Sequence, residues 1–264
     1  MKITFVGCGN MAKAMIGGIL GNHLCEANDI TATNSSETSC EKNKKEFGIE
    51  TSTDNCAAVK GADVIVLSVK PQFYETVIRE IKDSVTSEQL VITIAPGKTL
   101  AWLREKFGKE VKLVRCMPNT PALVGEGMTG ICCNEAVQKE DLEKALAILN
   151  SFGKTQIVAE HLMDAVVAVS GSSPAYVFMM IEAMGDAAVA EGLPRAQAYQ
   201  FAAQAVLGSA RMVLETGKHP AELKDMVCSP AGTTIQAVKT LEEQEFRSAL
   251  MEAMAVCAEK SRNM

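Results

Sequence analysis

The chain has 264 residues, of which 47% are hydrophobic and 22% charged, and its formal net charge is −6; that is the composition of an ordinary soluble protein of one large domain or two modest ones. The acidic balance argues against nucleic acid as a partner, because phosphates demand a cationic face, and no apolar stretch approaches the roughly 20 residues of a membrane span. Nine cysteines without a C-x-x-C pair, beside only His23, His161 and His219, argue against a disulfide scaffold or a metal site and for a reducing cytoplasm.

In chain order, the first element is an apolar run over 3–6. It stops at Gly7-Cys8-Gly9-Asn10-Met11-Ala12, a G-x-G-x-x-A pattern, and a helical pattern follows over 13–20. Gly7 permits the tight strand-to-helix turn, and the bare Cα of Gly9 lets a pyrophosphate approach the backbone. Ala12 keeps the helix close to the sheet, while the helix N-terminus offers unpaired N–H groups to the anion. The opening apolar residues therefore read as the first strand and not as a signal peptide. Further strands are expected over 30–33, 64–69, 91–95, 113–116 and 128–132, with crossover helices such as 36–47 and 72–81. The run Val64-Ile65-Val66-Leu67-Ser68-Val69 is apolar on both faces, as a central parallel strand must be. This alternation predicts an α/β fold, a doubly wound sheet in a dinucleotide-binding domain over residues 1–160.

From residue 161 the pattern is helical, with segments over 174–191, 196–215, 220–227, 234–242 and 246–262. Gly192 and Gly217 close the two long ones. Stretches such as Phe201-Ala202-Ala203-Gln204-Ala205-Val206-Leu207 are apolar around much of the helix. A domain of this size, 161–264, cannot bury that surface alone, so a second copy of the chain is expected to cover it.

Chemistry is expected at the carboxyl ends of the strands, where open α/β sheets bind ligands. The second strand ends in Thr33-Asn34-Ser35-Ser36, neutral and hydrogen-bonding, with the first acid, Glu37, one turn late. A carboxylate there would repel a 2′-phosphate, so its absence leans toward NADP(H), although no arginine takes its place. Ser68-Val69-Lys70-Pro71-Gln72, Ala95-Pro96-Gly97 and Cys116-Met117-Pro118-Asn119-Thr120-Pro121 end three more strands and make a cleft at that rim plausible. In the helical half, Ser170-Gly171-Ser172-Ser173-Pro174 reads as a cap, with Ser173 as N-cap and Pro174 at the first helical position. Ser229-Pro230-Ala231-Gly232-Thr233-Thr234 meets a helix start at Thr234, and its backbone N–H groups form a nest suited to a carboxylate, the alternative being a bare cap. No Ser-His-Asp set and no H-E-x-x-H is visible. Neither long helix offers an inward lysine or histidine, the base that alcohol oxidation needs. Imine reduction asks less, because a protonated C=N is already electrophilic.

Taken together, these motifs resemble pyrroline-5-carboxylate reductase over nearly the whole chain. The resemblance rests on Gly7–Ala12, Val69-Lys70-Pro71-Gln72, Arg115–Pro121, Ser170-Gly171-Ser172-Ser173-Pro174-Ala175-Tyr176 and, most specifically, 223–235. It implies a Rossmann domain followed by an all-helical dimerisation domain, a homo-oligomer built on dimers, and reduction of 1-pyrroline-5-carboxylate to L-proline with NADPH, or NADH. By the same resemblance Val6, Gly7, Cys8, Gly9, Asn10 and Met11 cradle the dinucleotide together with Ser68, Val69, Lys70, Pro71, Ala95 and Gly97. Asn34 and Asn55 lie by the adenosine ribose and its phosphate. Ser229, with the backbone of Gly232 and Thr233, holds the substrate carboxylate, and the Thr234 hydroxyl meets the ring nitrogen. The chain departs from the family at Ala231, where a glycine is usual and where φ > 0 would cost alanine about 1 kcal/mol, and at Met226, where some members carry asparagine. Competing readings are a hydroxy-acid or phosphogluconate-type reductase and a non-catalytic NADP(H) sensor.

Overall fold

The computed structural model describes residues 1–263. Its elements are, in order, β1 (Ile3–Val6), α1 (Asn10–Gly21), β2 (Ile30–Thr33), α2 (Glu37–Phe47), β3 (Glu50–Ser52), α3 (Asn55–Val59) and β4 (Val64–Leu67). There follow α4 (Tyr74–Ile81), β5 (Leu90–Thr93), α5 (Leu100–Phe107), β6 (Lys112–Met117), β7 (Gly127–Cys133), α6 (Lys139–Asn150) and β8 (Gly153–Ile157). The remainder is helical: α7 (Met163–Val166), α8 (Ser173–Ala190), α9 (Arg195–Thr216), α10 (Pro220–Val227), α11 (Thr233–Glu243) and α12 (Phe246–Arg262).

The strands form one sheet in the order β3-β2-β1-β4-β5-β6-β7-β8, parallel except for the β6–β7 pair. The chain winds outward in one direction from β1 and in the other from β4, so the strand order reverses between them. Val6 is in register with both Thr33 and Leu67, which brings the carboxyl ends of β1, β2 and β4 level at that reversal. Period-2 alternation divides the sheet's side chains between two cores. Phe5, Val66 and Ile92 pack with α1 and α6 on one face, whereas Val6, Ile65, Leu67 and Val91 pack with α4 and α5 on the other. The spacing of Tyr74, Val77, Ile78 and Ile81 gives α4 its buried stripe. The Ser36 side chain caps α2 by accepting from the Ser39 N–H, and Gly48, at φ +71°, ends that helix.

Two strands lie outside the sequence expectation, β3 and β8. Both are edge strands, short or polar (Glu-Thr-Ser and Gly-Lys-Thr-Gln-Ile), and carry no apolar run to betray them. The expected strand 64–69 stops at Leu67 because Ser68 turns its hydroxyl back onto the β1 loop. Ser173 is not an N-cap. A π-turn over Val167–Gly171 leads from α7 toward α8, and Ser173 is already helical. The expectation that nothing approaches a membrane span also needs correction: the helical run Glu160–Ala190 is long and apolar enough by length and composition. Asp164, Glu182 and Asp186 interrupt it as a sequence, but the π-turn joins its pieces into one helical stretch.

By internal contacts the chain divides into two compact units, Met1–Ser172 with Cys257–Met264, and Ser173–Val256. The sequence pattern places the division at 160/161. Within the first unit, the last turns of α12 are tied down by Ser261, whose hydroxyl bonds Asp164 at 2.6 Å, and by a Cys257–Ser172 contact at 3.2 Å. The second unit is helical throughout and leaves Phe178, Met179, Phe201, Leu207 and Leu214 exposed.

Candidate active site

On the first unit, the candidates gather where β1, β2, β4 and β5 end. Gly7 sits at φ +90°, and a Cβ there would come within 2.6 Å of Val69 Cγ1 and 3.0 Å of the Val69 nitrogen. Only glycine fits between the two strand ends. Its peptide is held from both sides. The Gly7 N–H donates to Thr33 Oγ1 at 3.2 Å, and the Ser68 hydroxyl donates to the Gly7 carbonyl at 2.6 Å. Ser68 therefore shapes the loop with its hydroxyl. Gly9 is the N-cap of α1 and no side chain caps that helix. A Cβ at Gly9 would meet nothing within 4 Å, and Gly9 and Asn10 are exposed. An open glycine before an uncapped helix start is the cradle a pyrophosphate requires, so the residues present fit a dinucleotide. Met11 is half-buried and Ala12 buried against the sheet. Burial pushes the Cys8 thiol up to about 11, which keeps it neutral beside that cradle.

The Thr33 hydroxyl donates a hydrogen bond to Asn55 Oδ1 at 2.6 Å, and Asn55 Nδ2 donates to Glu80 at 3.0 Å. The Asn55 amide is thus largely engaged by the protein. Asn34 extends the β2 ladder through its N–H to the Ser52 carbonyl, and its side-chain oxygen accepts from Asn43 at 2.7 Å. Glu37, the first acid after β2, accepts from the Thr53 hydroxyl at 3.3 Å. Lys70 is exposed and precedes a 3₁₀ turn that Pro71 opens, and Gly97 follows buried Ala95 at φ +72°.

On the second unit, the loop 229–234 leads into α11. Ala231 stands at φ +58°, the left-handed region that alanine disfavours. The turn is closed by the Gly232 N–H donating to the Ser229 carbonyl at 3.0 Å. Gly232 is the N-cap, and no side chain caps the helix. The helix begins one residue earlier than expected, at Thr233, because Gly232 already has capping geometry. The Gly232 N–H is spent on its own turn, so the free donors of the nest are the Ser229 hydroxyl and the N–H groups of Thr233 and Thr234. A Cβ at Gly232 would collide with Ser229 Oγ and lie 3.2 Å from the Ser229 carbonyl oxygen, so the bare Cα leaves the serine its place. His219 only caps α10, its Nδ1 accepting from the Ala221 N–H.

Comparison with known proteins decides what this pair of features belongs to. A family model described as pyrroline-5-carboxylate reductase dimerisation matches residues 160–264, and one described as NADP oxidoreductase, coenzyme F420-dependent, matches 2–97. The pyrroline-5-carboxylate reductase of Escherichia coli K12 is 50% identical over 263 residues, covering 100% of this chain and 98% of its own. The chain belongs to the pyrroline-5-carboxylate reductase family. A solved family member from Coxiella burnetii superposes with a TM-score of 0.91 at 38% identity, over 99% of this chain and 97% of that one. A Plasmodium falciparum pyrroline carboxylate reductase with NADP bound gives 0.91 at 33% identity, over 100% and 97%.

Three further residues shape this reductase's first unit through contacts that the sequence does not show. The hydroxyl of fully buried Tyr74 donates to the Leu67 carbonyl and accepts from the Thr93 hydroxyl (3.1 Å) and the Ile94 N–H (3.3 Å). It pins the ends of β4 and β5 together, and burial pushes its pKa up to about 12. Arg115, buried in β6, pairs with Glu160 at 3.0 Å, and the same carboxylate accepts from the Leu100 N–H at 2.7 Å. Asn119 donates to the Ser170 carbonyl in the π-turn at 3.0 Å and accepts from the Met128 N–H at 2.8 Å. Arg115 and Asn119 stand in the strand-end motif 115–121, Arg115 as a charge inside an apolar strand, whereas Tyr74 left no sequence signal.

Proposed function

We propose that the protein reduces 1-pyrroline-5-carboxylate to L-proline, the closing step of proline formation, with NADPH as preferred reductant and NADH as a poorer one. The observation that carries the reading is the loop 229–234: an uncapped helix start with a serine hydroxyl beside it, a receptor for one carboxylate, on a chain whose first unit has an open pyrophosphate cradle.

In this reading Ser229 and the N–H groups of Thr233 and Thr234 fix the substrate carboxylate and with it the orientation of the five-membered ring. The Thr234 hydroxyl accepts from the protonated ring nitrogen and holds the imine in its electrophilic form. A dinucleotide held by the Gly7–Met11 cradle would supply the hydride that the imine carbon accepts, and the nitrogen keeps its proton. No side chain has to remove a proton, so the reaction needs no histidine or lysine base. Gly7, Gly9, Asn10 and Met11 hold the pyrophosphate, with Val6, Cys8 and Val69 as walls, while Lys70, Pro71, Ala95 and Gly97 continue the rim. Asn34 and Asn55 serve the adenosine end; the end of β2 carries no carboxylate of its own to repel a 2′-phosphate, and Glu80 is engaged by Asn55.

The chain works as an oligomer built on dimers, the exposed apolar residues of α8 and α9 being covered by a second copy. This reading also accounts for the apolar run Glu160–Ala190 without a membrane. A cytoplasmic setting suits its nine unbridged cysteines. The test is direct: purified protein, pyrroline-5-carboxylate and NADPH, followed by loss of the reduced nicotinamide's absorbance and by proline formation. Substrate-independent binding of NADPH without turnover would leave the sensor reading in its place.

A further inference from the structure

Asn43 is a buried polar residue in the middle of α2, 2% exposed, on a helix whose other buried residue is Cys40. The expected cradle does not include it. A buried amide costs stability unless it is bonded, so its partner reveals what it is for. That partner is Asn34, at the carboxyl end of β2: Asn43 Nδ2 donates to Asn34 Oδ1 at 2.7 Å. An asparagine side chain has one accepting and one donating end. With its oxygen committed to Asn43, the Asn34 NH2 is turned the other way and takes up no protein acceptor among the described residues. Glu37, the carboxylate closest in sequence, is engaged with Thr53. The rim at β2 therefore presents two amide N–H donors and no acceptor from this side chain.

We propose that Asn43 is a positioning residue that sets the polarity of the Asn34 amide, so that the β2 rim donates hydrogen bonds to a ribose 2′-phosphate and discriminates against a bare 2′-hydroxyl. The proposal rests on the NADP(H) reading above and adds how selectivity is produced. A phosphate dianion only accepts hydrogen bonds, so it is matched by NH2 and mismatched by C=O. A 2′-hydroxyl can donate or accept and is nearly indifferent to the turn of the amide.

The fragments adenosine 2′,5′-bisphosphate and adenosine 5′-monophosphate isolate this end of the cofactor and need no turnover. Calorimetric titration of both into the full chain gives a selectivity ratio. Asn43→Asp keeps the shape but can only accept, so Asn34 must turn its NH2 inward and show its oxygen to the ligand; the ratio should fall by about tenfold or more. Asn43→Ala frees the amide and should lower the ratio less, by a few-fold. The carboxylate introduced by Asn43→Asp could by its charge alone repel phosphate, so both substitutions are repeated in an Asn34→Ala background. If Asn43 acts through Asn34, most of each effect vanishes there. The same loss in both backgrounds overturns the proposal, as does an unchanged ratio in either single variant that keeps the native melting temperature. Equal binding of the two fragments by the unmodified chain overturns it as well, and leaves pyrroline-5-carboxylate reduction, read by its own assay, standing.

Discussion

Replacing Gly232 by alanine separates the carboxylate receptor from the fold around it. The backbone at Gly232, φ −74° and ψ 171°, is one that alanine adopts freely, so no dihedral strain enters. The added methyl lies 3.2 Å from the Ser229 carbonyl oxygen, which is tight but tolerable, and overlaps the Ser229 hydroxyl outright. Ser229 is exposed, so its side chain escapes by rotating about χ1 at little cost to stability. Alanine is also a poorer N-cap than glycine, and the two effects together should cost about 1 kcal/mol of folding stability. Substrate binding suffers more. A hydrogen bond to a charged group is worth about 1.5–3 kcal/mol, so losing the serine from the receptor should lower kcat/KM by about 10- to 150-fold. The carboxylate is held alike before and during hydride transfer, and the loss should therefore appear in KM with kcat nearly kept. Steady-state kinetics with varied pyrroline-5-carboxylate measure this directly. Ser229→Ala should reproduce the effect, and the double variant should be little worse than either single one. A folded Gly232→Ala protein with native KM would show that the loop does not bind the carboxylate.

Thr234→Ala should behave oppositely, lowering kcat/KM by about one to two powers of ten, mainly through kcat, while NADPH affinity stays native; near-native turnover would make Thr234 only a helix-start residue. Ala231→Gly relieves a left-handed alanine and, net of the added freedom of the unfolded chain, should raise stability by about 0.5 kcal/mol, seen as a higher melting temperature; an unchanged or lower one would show that the turn is not strained. Thiol alkylation below pH 9 should label exposed Cys133 before Cys8 and Cys132. Burial raises the latter two pKa values to about 11, so at pH 9 only about one in a hundred of these groups is the reactive thiolate. Rapid labelling of Cys8 would contradict its burial. Light scattering at micromolar concentration should give at least a dimer, and a stable monomer would leave the exposed Phe178, Met179 and Phe201 unexplained.

The elements that could be read from the sequence are those whose burial imposes a pattern. Central strands β1, β4 and β5 are buried on both faces and so are almost wholly apolar, β4 entirely so, and the long helices end at glycines that only a left-handed cap explains. Edge strands β3 and β8 are half-solvated, so nothing in Glu50–Ser52 or Gly153–Ile157 had to be apolar. The candidate site was legible where backbone shape dictates residue type, at Gly7 and in the loop around Gly232. It was illegible where distant side chains meet. Tyr74 reaches Leu67, Thr93 and Ile94 only because α4 packs beneath β4 and β5, and Asn43 meets Asn34 only because α2 folds back along β2. A sequence shows a tyrosine or asparagine in a helix; it does not show which strand end lies within 3 Å.

Ala231 bears on why the receptor loop has the shape it has. A left-handed alanine costs about 1 kcal/mol, and a chain free to choose would relax the turn. Here the turn is kept, with the Gly232 N–H spent on the Ser229 carbonyl and the next two N–H groups left without caps. A structural cap would do the reverse, satisfying the helix start with a side chain and avoiding the strained φ. Both serine and threonine hydroxyls are at hand in this loop, yet none is used for capping. The strain and the unsatisfied donors make sense together if the loop is shaped for an anion that completes it. That is also how a reductase without a base can be specific. When the substrate's own protonated nitrogen makes the carbon electrophilic, selectivity has to come from what holds the carboxylate, and in the function proposed above the conformation at Ala231 is the local cost of holding it.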